Sequence, residues 1–139
     1  MSGEDLVNEL VEAFNRHDRA GLATGYASDV MVSDPIYPEP LEGWDAVEKD
    51  FDDIMRALPD IHQTVRTVME HGDILACEIS VTGTHNGPLA TPDGEIPATG
   101  RKVEFGGAWF ARLDGDGKIV DERRYYDVAG LLAQLGLTA

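Results

Sequence analysis

The sequence is short of cysteine and of positive charge, and both shortages limit what the protein can be. Its 139 residues include one cysteine, Cys77, which excludes an intramolecular disulfide and a zinc site built from cysteines. Because Cys77 lies in an apolar run, we interpret it as a small buried side chain. The length and a hydrophobic content of 42% fit a single globular domain over residues 1–139.

Acidic residues strongly outnumber basic ones. Aspartate and glutamate number 26 against 11 lysines and arginines, which gives a net charge of -15. Such a field repels phosphate backbones and anionic lipid head groups, so neither nucleic acid nor a membrane is an expected partner. The first residues lack the basic and apolar regions of a signal peptide, and no apolar stretch approaches the roughly 18 residues of a membrane span. We therefore expect a cytoplasmic protein.

Several common catalytic motifs are missing as well. There is no Gly-x-Ser-x-Gly elbow, no Gly-x-Gly-x-x-Gly after a strand and no Walker-type lysine, which argues against covalent serine chemistry, dinucleotide binding and phosphoryl transfer. The four histidines lie far apart, and residues 114–117 (Asp-Gly-Asp-Gly) are not followed by the later ligands of a calcium loop. We expect no metal and no organic cofactor.

The first half of the chain has the apolar spacing of helices. It predicts a first helix capped by Ser2, a short second helix capped by Asp18, and a third helix that begins after Gly43 and ends at Pro59. A short strand over residues 30–32 separates the second helix from the third.

The second half changes to the period of β-strands. Four segments rich in β-branched and aromatic residues are separated by turn signals or a long loop: 61–70, 74–84, 102–113 and 118–126. A glycine- and proline-rich loop over residues 86–100 separates the second segment from the third, and a helix ended by Gly136 closes the chain. Helices first and a meander afterwards predict an α+β fold in which helices cover one face of a curved sheet.

Alternation along the last strand puts charged residues on both of its faces. One face carries Glu122 and Arg124, and the other carries Ile119, Asp121 and Arg123. The strand over 74–84 has a polar row of its own, which includes Glu78, and that row either lines a cavity or faces water.

A set of short motifs follows a fixed order along nearly the whole chain. They are Ala13-Phe14-Asn15, Asp34-Pro35, Gly43, Gly83-Thr84-His85-Asn86-Gly87, and a closing segment with Gly117-Lys118-Ile119, Asp127 and Leu132-Ala133-Gln134-Leu135-Gly136. Together they resemble the SnoaL-like polyketide cyclase family of the nuclear transport factor 2-like superfamily. The resemblance implies a cone, formed by a curved, mainly antiparallel sheet and wrapped by N-terminal helices around a deep hydrophobic pocket. It also implies an oligomer, and we expect a homodimer built on the open face of the sheet.

The resemblance implies positions for the site. The cyclases of the family carry a general acid/base aspartate on the last strand, at the position of Arg124 here, and an arginine cannot abstract a proton. The pocket asparagine of the family corresponds to Asp34, its pocket phenylalanine to Phe14, and two pocket positions of the preceding strand to Gly107 and Trp109.

If Glu122 and Arg124 face the pocket, each buried charge needs a partner. Asp34 and Glu78 are the natural candidates, and carboxylates in different surroundings would separate the roles of acid and base. The alternative is a structural ion pair inside a pocket that only binds. His85, at the edge of a glycine-rich loop, either stabilises a turn or shuttles protons.

We therefore expect a small-molecule enzyme that acts without a cofactor, by acid/base chemistry, on a hydrophobic polyketide-like or terpenoid substrate. It would be a cyclase, isomerase or hydrolase, with Asp34 or Glu122 as the base, Glu78 as a third candidate and Arg124 stabilising an enolate or alkoxide. Four aromatic side chains either bind the substrate or belong to the core: Phe14, Phe51, Trp109 and Tyr126. The alternative hypothesis is a noncatalytic ligand-binding or scaffold protein of the same superfamily.

Overall fold

A computed structural model describes residues 2–137. Within them the chain forms four helices: α1 (Gly3–Asn15), α2 (Arg19–Ala23), α3 (Trp44–Ala57) and α4 (Val128–Gln134). Helix α1 begins at a capping box, in which the Asp5 N–H donates to Ser2 Oγ at 3.1 Å and the Ser2 N–H donates to Asp5 Oδ2 at 3.0 Å. The predicted helices are present, and the predicted cap of the first one is confirmed.

The same residues form eight strands: β1 (Tyr26–Ser33), β2 (Leu41–Glu42), β3 (His62–His71), β4 (Ile74–Thr84), β5 (Leu89–Thr91), β6 (Gly94–Ile96), β7 (Lys102–Leu113) and β8 (Ile119–Tyr126). Six of them form one sheet in the order β2-β1-β8-β7-β4-β3, and β5 pairs with β6 in a separate hairpin. Every pair in the large sheet is antiparallel except β1 with β8, which is parallel. The predicted α+β class and its mainly antiparallel sheet are confirmed.

Two segments differ from the prediction. Strand β1 begins at Tyr26 rather than near residue 30, so it is several residues longer than the apolar run that predicted it. The loop over 86–100 contains the β5–β6 hairpin, whose strands are three residues each and too short to show a period of two. Leu89 and Ala90 of this hairpin contribute to the wall of the cavity described below.

The face assigned to Ile119 is wrong, and a β-bulge is the reason. Strand β7 pairs with β8 through Arg112 opposite Asp121, yet the next residue, Leu113, lies opposite Ile119. Val120 is therefore an extra residue in β8, and it reverses the alternation at that point. Ile119 consequently turns inward and is fully buried, whereas the residues after the bulge keep their predicted faces.

The apolar core lies between the helices and the inner face of the large sheet. Helices α1 and α3 bury one stripe each, represented by Phe14 and Phe51, and the sheet contributes alternate residues such as Val32 and Cys77. Burial raises the pKa of the Cys77 thiol to about 11, as expected for a structural cysteine. No helix within residues 2–137 is long and apolar enough to cross a membrane.

Candidate active site

A cavity of about 180 Å³ opens between helices α1 and α3 and the inner face of the sheet. Its wall is mostly apolar, and it includes all four aromatic side chains proposed from the sequence: Phe14, Phe51, Trp109 and Tyr126. Gly107 lies in the wall beside them. A concave apolar cavity with a few polar groups is the usual form of a small-molecule site.

Arg124 is the centre of the polar part of this wall. Its Nε donates to Glu122 Oε2 at 2.9 Å, and its Nη1 donates to Asp34 Oδ2 at 3.1 Å and to Asp50 Oδ2 at 2.6 Å. The Arg124 side chain is 12% exposed, and the three carboxylates are each 4% exposed or less. Its Cζ atom also lies 5.3 Å from the centre of the Phe51 ring. One guanidinium thus contacts a carboxylate of strand β8, one that directly follows strand β1 and one of helix α3.

Each of these carboxylates also accepts a hydrogen bond from a tyrosine. The hydroxyl of Tyr26 donates to Glu122 at 2.7 Å, that of Tyr37 to Asp50 at 2.7 Å, and that of Tyr126 to Asp34 at 2.6 Å. Burial, followed by the charge of the adjacent carboxylate, raises the pKa of all three phenols. The tyrosines therefore stay protonated at neutral pH and act as fixed donors.

The charge of Arg124 is held by its partners. Burial alone works to lower the pKa of the guanidinium, but the charges of Asp50, Glu122 and Asp34 outweigh it and raise the pKa. Nη2 of Arg124 is buried and has no hydrogen-bond acceptor within residues 2–137. The guanidinium is thus a permanent cation with one nitrogen unused.

The predicted faces of β8 at the site are confirmed. Glu122 and Arg124 point into the cavity, whereas the side chains of Asp121 and Arg123 are 34% and 48% exposed on the outer face. Tyr125 is 54% exposed on that face as well. The bulge at Val120 precedes these residues and leaves their alternation intact.

Three residues of the polar group were not predicted: Tyr26, Tyr37 and Asp50. The sequence carried a signal for Asp50, because this residue lies between Val47 and Phe51 on the apolar stripe of α3. In the structure Asp50 is 3% exposed. A carboxylate on the buried stripe of an amphipathic helix indicates a partner inside the fold. The two tyrosines gave no comparable signal, since tyrosine is common in cores and at strand ends alike.

Glu78 does not belong to this group, and the prediction that it would pair with Arg124 or Glu122 is wrong. Its neighbours on β4, Cys77 and Ile79, point inward, so alternation turns Glu78 to the exposed outer face. There its carboxylate accepts a hydrogen bond from Thr67 Oγ1 at 3.1 Å. The polar row of β4 faces water.

His85 is fully buried but lies outside the wall of the cavity. Its Nδ1 accepts the Thr99 N–H at 3.2 Å and lies 2.9 Å from Thr99 Oγ1, while Gly100 N–H donates to its carbonyl at 2.8 Å. These contacts close the two ends of the 86–100 loop. The geometry fits the turn-stabilising alternative and gives the imidazole no contact with the cavity.

Replacing His85 by asparagine tests this structural role through the pH dependence of stability. Burial lowers the pKa of His85 below its ordinary value of 6.5, so the unfolded chain binds a proton more readily than the folded one. The contribution of neutral His85 is complete above that value and is lost as the pH falls below it. Asparagine keeps an acceptor but cannot take the proton, so H85N should lose less stability than wild type between about pH 8 and about pH 5.5.

Urea unfolding at both pH values measures this difference, and H71N, at an exposed histidine at the end of β3, is the matched control. The control should behave as wild type does. Equal pH dependence in H85N and wild type would contradict the assignment.

No cluster of three or more potential metal ligands occurs in the part of the chain that the structure describes. The cavity between the helices and the inner face of the large sheet is the architecture of the nuclear transport factor 2-like fold. The sequence matches the profile of the SnoaL-like polyketide cyclases over residues 4–135. The chain belongs to that family, as the motifs suggested.

Solved structures agree with this placement. AclR, a proposed hydroxylase from Streptomyces galilaeus, is 26% identical, with a TM-score of 0.82 over 98% of this chain and 96% of AclR. IdmH, a proposed polyketide cyclase from Streptomyces antibioticus, is 27% identical, with a TM-score of 0.78 over 98% of this chain and 99% of IdmH. A search of curated protein sequences finds no significant match.

A more distant structure shows the fold alone. A protein with a ketosteroid isomerase-like fold from Catenulispora acidiphila is 20% identical and superposes with a TM-score of 0.78, over 99% of this chain and 95% of its own. Both chains are therefore similar over their whole length in backbone architecture.

Proposed function

We propose that the protein is an enzyme that carries out acid/base chemistry with its own side chains on a hydrophobic, polyketide-like or terpenoid molecule. The observation that carries this proposal is the group formed by Arg124, Asp34, Asp50 and Glu122 in the wall of an apolar cavity. Carboxylates and a fixed cation at the edge of an apolar space are the parts that proton transfer and oxyanion stabilisation require. The reaction would be that of a cyclase, an isomerase or a hydrolase.

In the proposed step, Asp34 removes a proton from the carbon next to a carbonyl group of the substrate. The C–H bond breaks, an O–H bond forms on the Asp34 carboxylate, and the electron pair moves to the carbonyl oxygen to give an enolate. Arg124 stabilises that negative charge because its guanidinium stays charged at any working pH. The enolate then attacks a second carbonyl, as in a cyclase, or takes the proton back at another carbon, as in an isomerase.

Asp34 is preferred to Glu122 as the base because of its surroundings. Glu122 lies between Tyr26, a buried residue, and Arg124 Nε, so both of its oxygens are held deep in the wall. Asp34 lies at the end of β1, and its tyrosine partner, Tyr126, is only partly buried. We therefore assign the base to Asp34, whose tyrosine partner leaves that side of the wall less deeply buried, and Glu122 acts by orienting Arg124.

The similar proteins support a small-molecule site, but they do not point to a single type of reaction. AclR is a proposed hydroxylase and IdmH a proposed cyclase, although both share the whole fold with this chain. The arginine at position 124, where the resemblance implies the aspartate of the cyclases, favours a division of labour in which Arg124 stabilises charge and a carboxylate elsewhere is the base.

Noncatalytic ligand binding is the second candidate function. One observation favours it: both oxygens of each carboxylate already accept hydrogen bonds from Arg124, a tyrosine or, for Asp34, the N–H of Ile36. A carboxylate whose two oxygens are both engaged in this way has fewer lone pairs left to take a proton from a substrate.

Hydrogen exchange separates the two functions without knowledge of the natural substrate. The bicyclic ketone α-tetralone, in deuterated water, exchanges the protons next to its carbonyl by the enolate step described above. We expect the protein to accelerate this exchange, followed by proton NMR, and an exchange rate equal to that of buffer would favour the binding function. Mass spectrometry of any molecule that co-purifies with the protein would then identify the substrate class.

We also propose that the protein is a homodimer formed through the outer face of the sheet. Tyr125 and Met69 are 54% and 66% exposed there, and Arg123 lies over the Phe110 ring, with its Cζ 5.8 Å from the ring centre. Exposed aromatic and methionine side chains next to an arginine are typical of interfaces. Light scattering should give twice the chain mass of 15.1 kDa, and Y125D should shift the protein towards the monomer. A monomer at micromolar concentration would contradict the proposal.

A further inference from the structure

Three carboxylates contact Arg124, but they use only two of its three nitrogens. Glu122 accepts from Nε, and Asp34 and Asp50 both accept from Nη1, while Nη2 is buried and has no acceptor among residues 2–137. An arrangement that served only to neutralise the guanidinium would spread its acceptors over all the donors. Neutralising Arg124 therefore does not require the third carboxylate.

Asp50 is the additional member of the group. Glu122 comes from the same strand as Arg124, and Asp34 follows the neighbouring strand β1, so the sheet alone supplies a pair of acceptors. Asp50 comes from helix α3, which lies across the cavity from the sheet. The Tyr37 hydroxyl donates to its second oxygen at 2.7 Å. It brings a buried negative charge to a nitrogen that already has an acceptor.

The consequence is an excess of negative charge beside the cavity. Within residues 2–137, one cation faces three carboxyl groups, so the acidic side chains of the group outnumber its basic one. The rest of the chain adds to this field, since the net charge is -15. In an apolar cavity the interaction between charges is stronger than in water.

We propose that Asp50 is a specificity-determining residue, which makes the cavity reject anionic ligands and accept uncharged ones that present an acceptor oxygen to Arg124. An arginine with fewer carboxylates would do the opposite, because a guanidinium in an apolar pocket binds carboxylates well. Arg124 lines the cavity and its Nη2 has no acceptor within residues 2–137, so we assign this nitrogen as the donor to the acceptor oxygen of a ketone, ester or ether. The inference rests on the proposed function only in taking this cavity as the substrate site.

Two naphthalene derivatives of nearly equal shape test the inference by isothermal titration calorimetry. β-Acetylnaphthalene carries a neutral carbonyl group, and β-naphthoate carries a carboxylate in its place. We expect wild type to bind the ketone at least about tenfold more tightly than the carboxylate at neutral pH. In D50N, the affinity for the carboxylate should rise about tenfold, while that for the ketone stays within about threefold.

D52N is the matched control for this variant. Asp52 also lies on α3, but it does not border the cavity, and its carboxylate pairs with Arg19 at 3.0 Å rather than with Arg124. The same substitution there should leave both affinities within about threefold of wild type. Equal gains in D50N and D52N would mean that net charge alone, and not Asp50, sets the selectivity, and this would overturn the inference.

The wild-type measurement keeps the inference testable if D50N does not fold. Equal affinity of wild type for the ketone and the carboxylate would overturn it without any variant. These readouts are binding constants, so they are separate from the exchange assay. Selective ketone binding without hydrogen exchange would support the charge selectivity and contradict the proposed enzymatic function. Hydrogen exchange without selective binding would support the enzymatic function and contradict the charge selectivity.

Discussion

Replacing Arg124 by methionine should lower the free energy of unfolding by about 3–5 kcal/mol. The substitution removes the cation that pairs with Asp34, Asp50 and Glu122 in the described part of the chain, and each of these carboxylates is 4% exposed or less. Their tyrosine donors remain, but a neutral donor does not offset a buried negative charge as a guanidinium does. Methionine keeps the contact with Phe51, so the loss of stability reports the removal of the charge rather than a loss of packing.

R16M is the control for this prediction. Arg16 lies at the C-terminal end of α1 and does not border the cavity; its side chain is 60% exposed, and its carboxylate partner, on Asp18, is 3.4 Å away. Removing it should change stability by no more than about 0.5 kcal/mol. Urea unfolding of both variants and wild type at neutral pH measures the two values. A loss of less than about 1 kcal/mol in R124M would mean that the three carboxylates do not depend on Arg124, and the electrostatic description of the site would be wrong.

Much of the fold could be predicted because local signals agree with the final structure. The apolar stripes of α1 and α3 and the alternation of β4 are set by periods of about 3.6 and 2 residues, which the sequence carries directly. The face of Ile119 could not be predicted in this way. A bulge adds one residue to a strand without changing its composition, and only the pairing of β8 with its neighbours reveals it.

The site could be predicted only in part, for a related reason. Glu122 and Arg124 share a strand, so their common face follows from alternation, whereas Asp34 follows only from the resemblance, which places the pocket asparagine of the family at this position. The convergence of Asp50 and Tyr37 on the same guanidinium depends on how α3 and the segment after β1 pack over the sheet. Glu78 illustrates the opposite error, since a polar row on a strand does not reveal which face of the sheet is the inner one.

The other large effect concerns the base. Replacing Asp34 by asparagine should reduce the rate of exchange in α-tetralone by about 10²- to 10⁴-fold, because the amide keeps the shape of the carboxylate but has no basicity. Glu122→Gln should reduce the exchange rate by a smaller factor than Asp34→Asn. Its carboxylate holds Arg124 Nε at 2.9 Å, so its loss misplaces the cation that stabilises the enolate without removing the base.

The control is Asp29→Asn, at an exposed residue of the strand that Asp34 follows. It makes the same change in net charge and should leave the exchange rate within about twofold of wild type. Titration with β-acetylnaphthalene shows whether each variant still binds, which separates a loss of chemistry from a loss of the cavity. Because Asp34 and Glu122 are the two candidates for the base, an exchange rate that survives both changes within about threefold would mean that no carboxylate on the sheet side removes the proton. The base would then have to lie elsewhere in the wall, and Asp50 of helix α3, whose carboxylate also contacts Arg124, would be the next residue to replace.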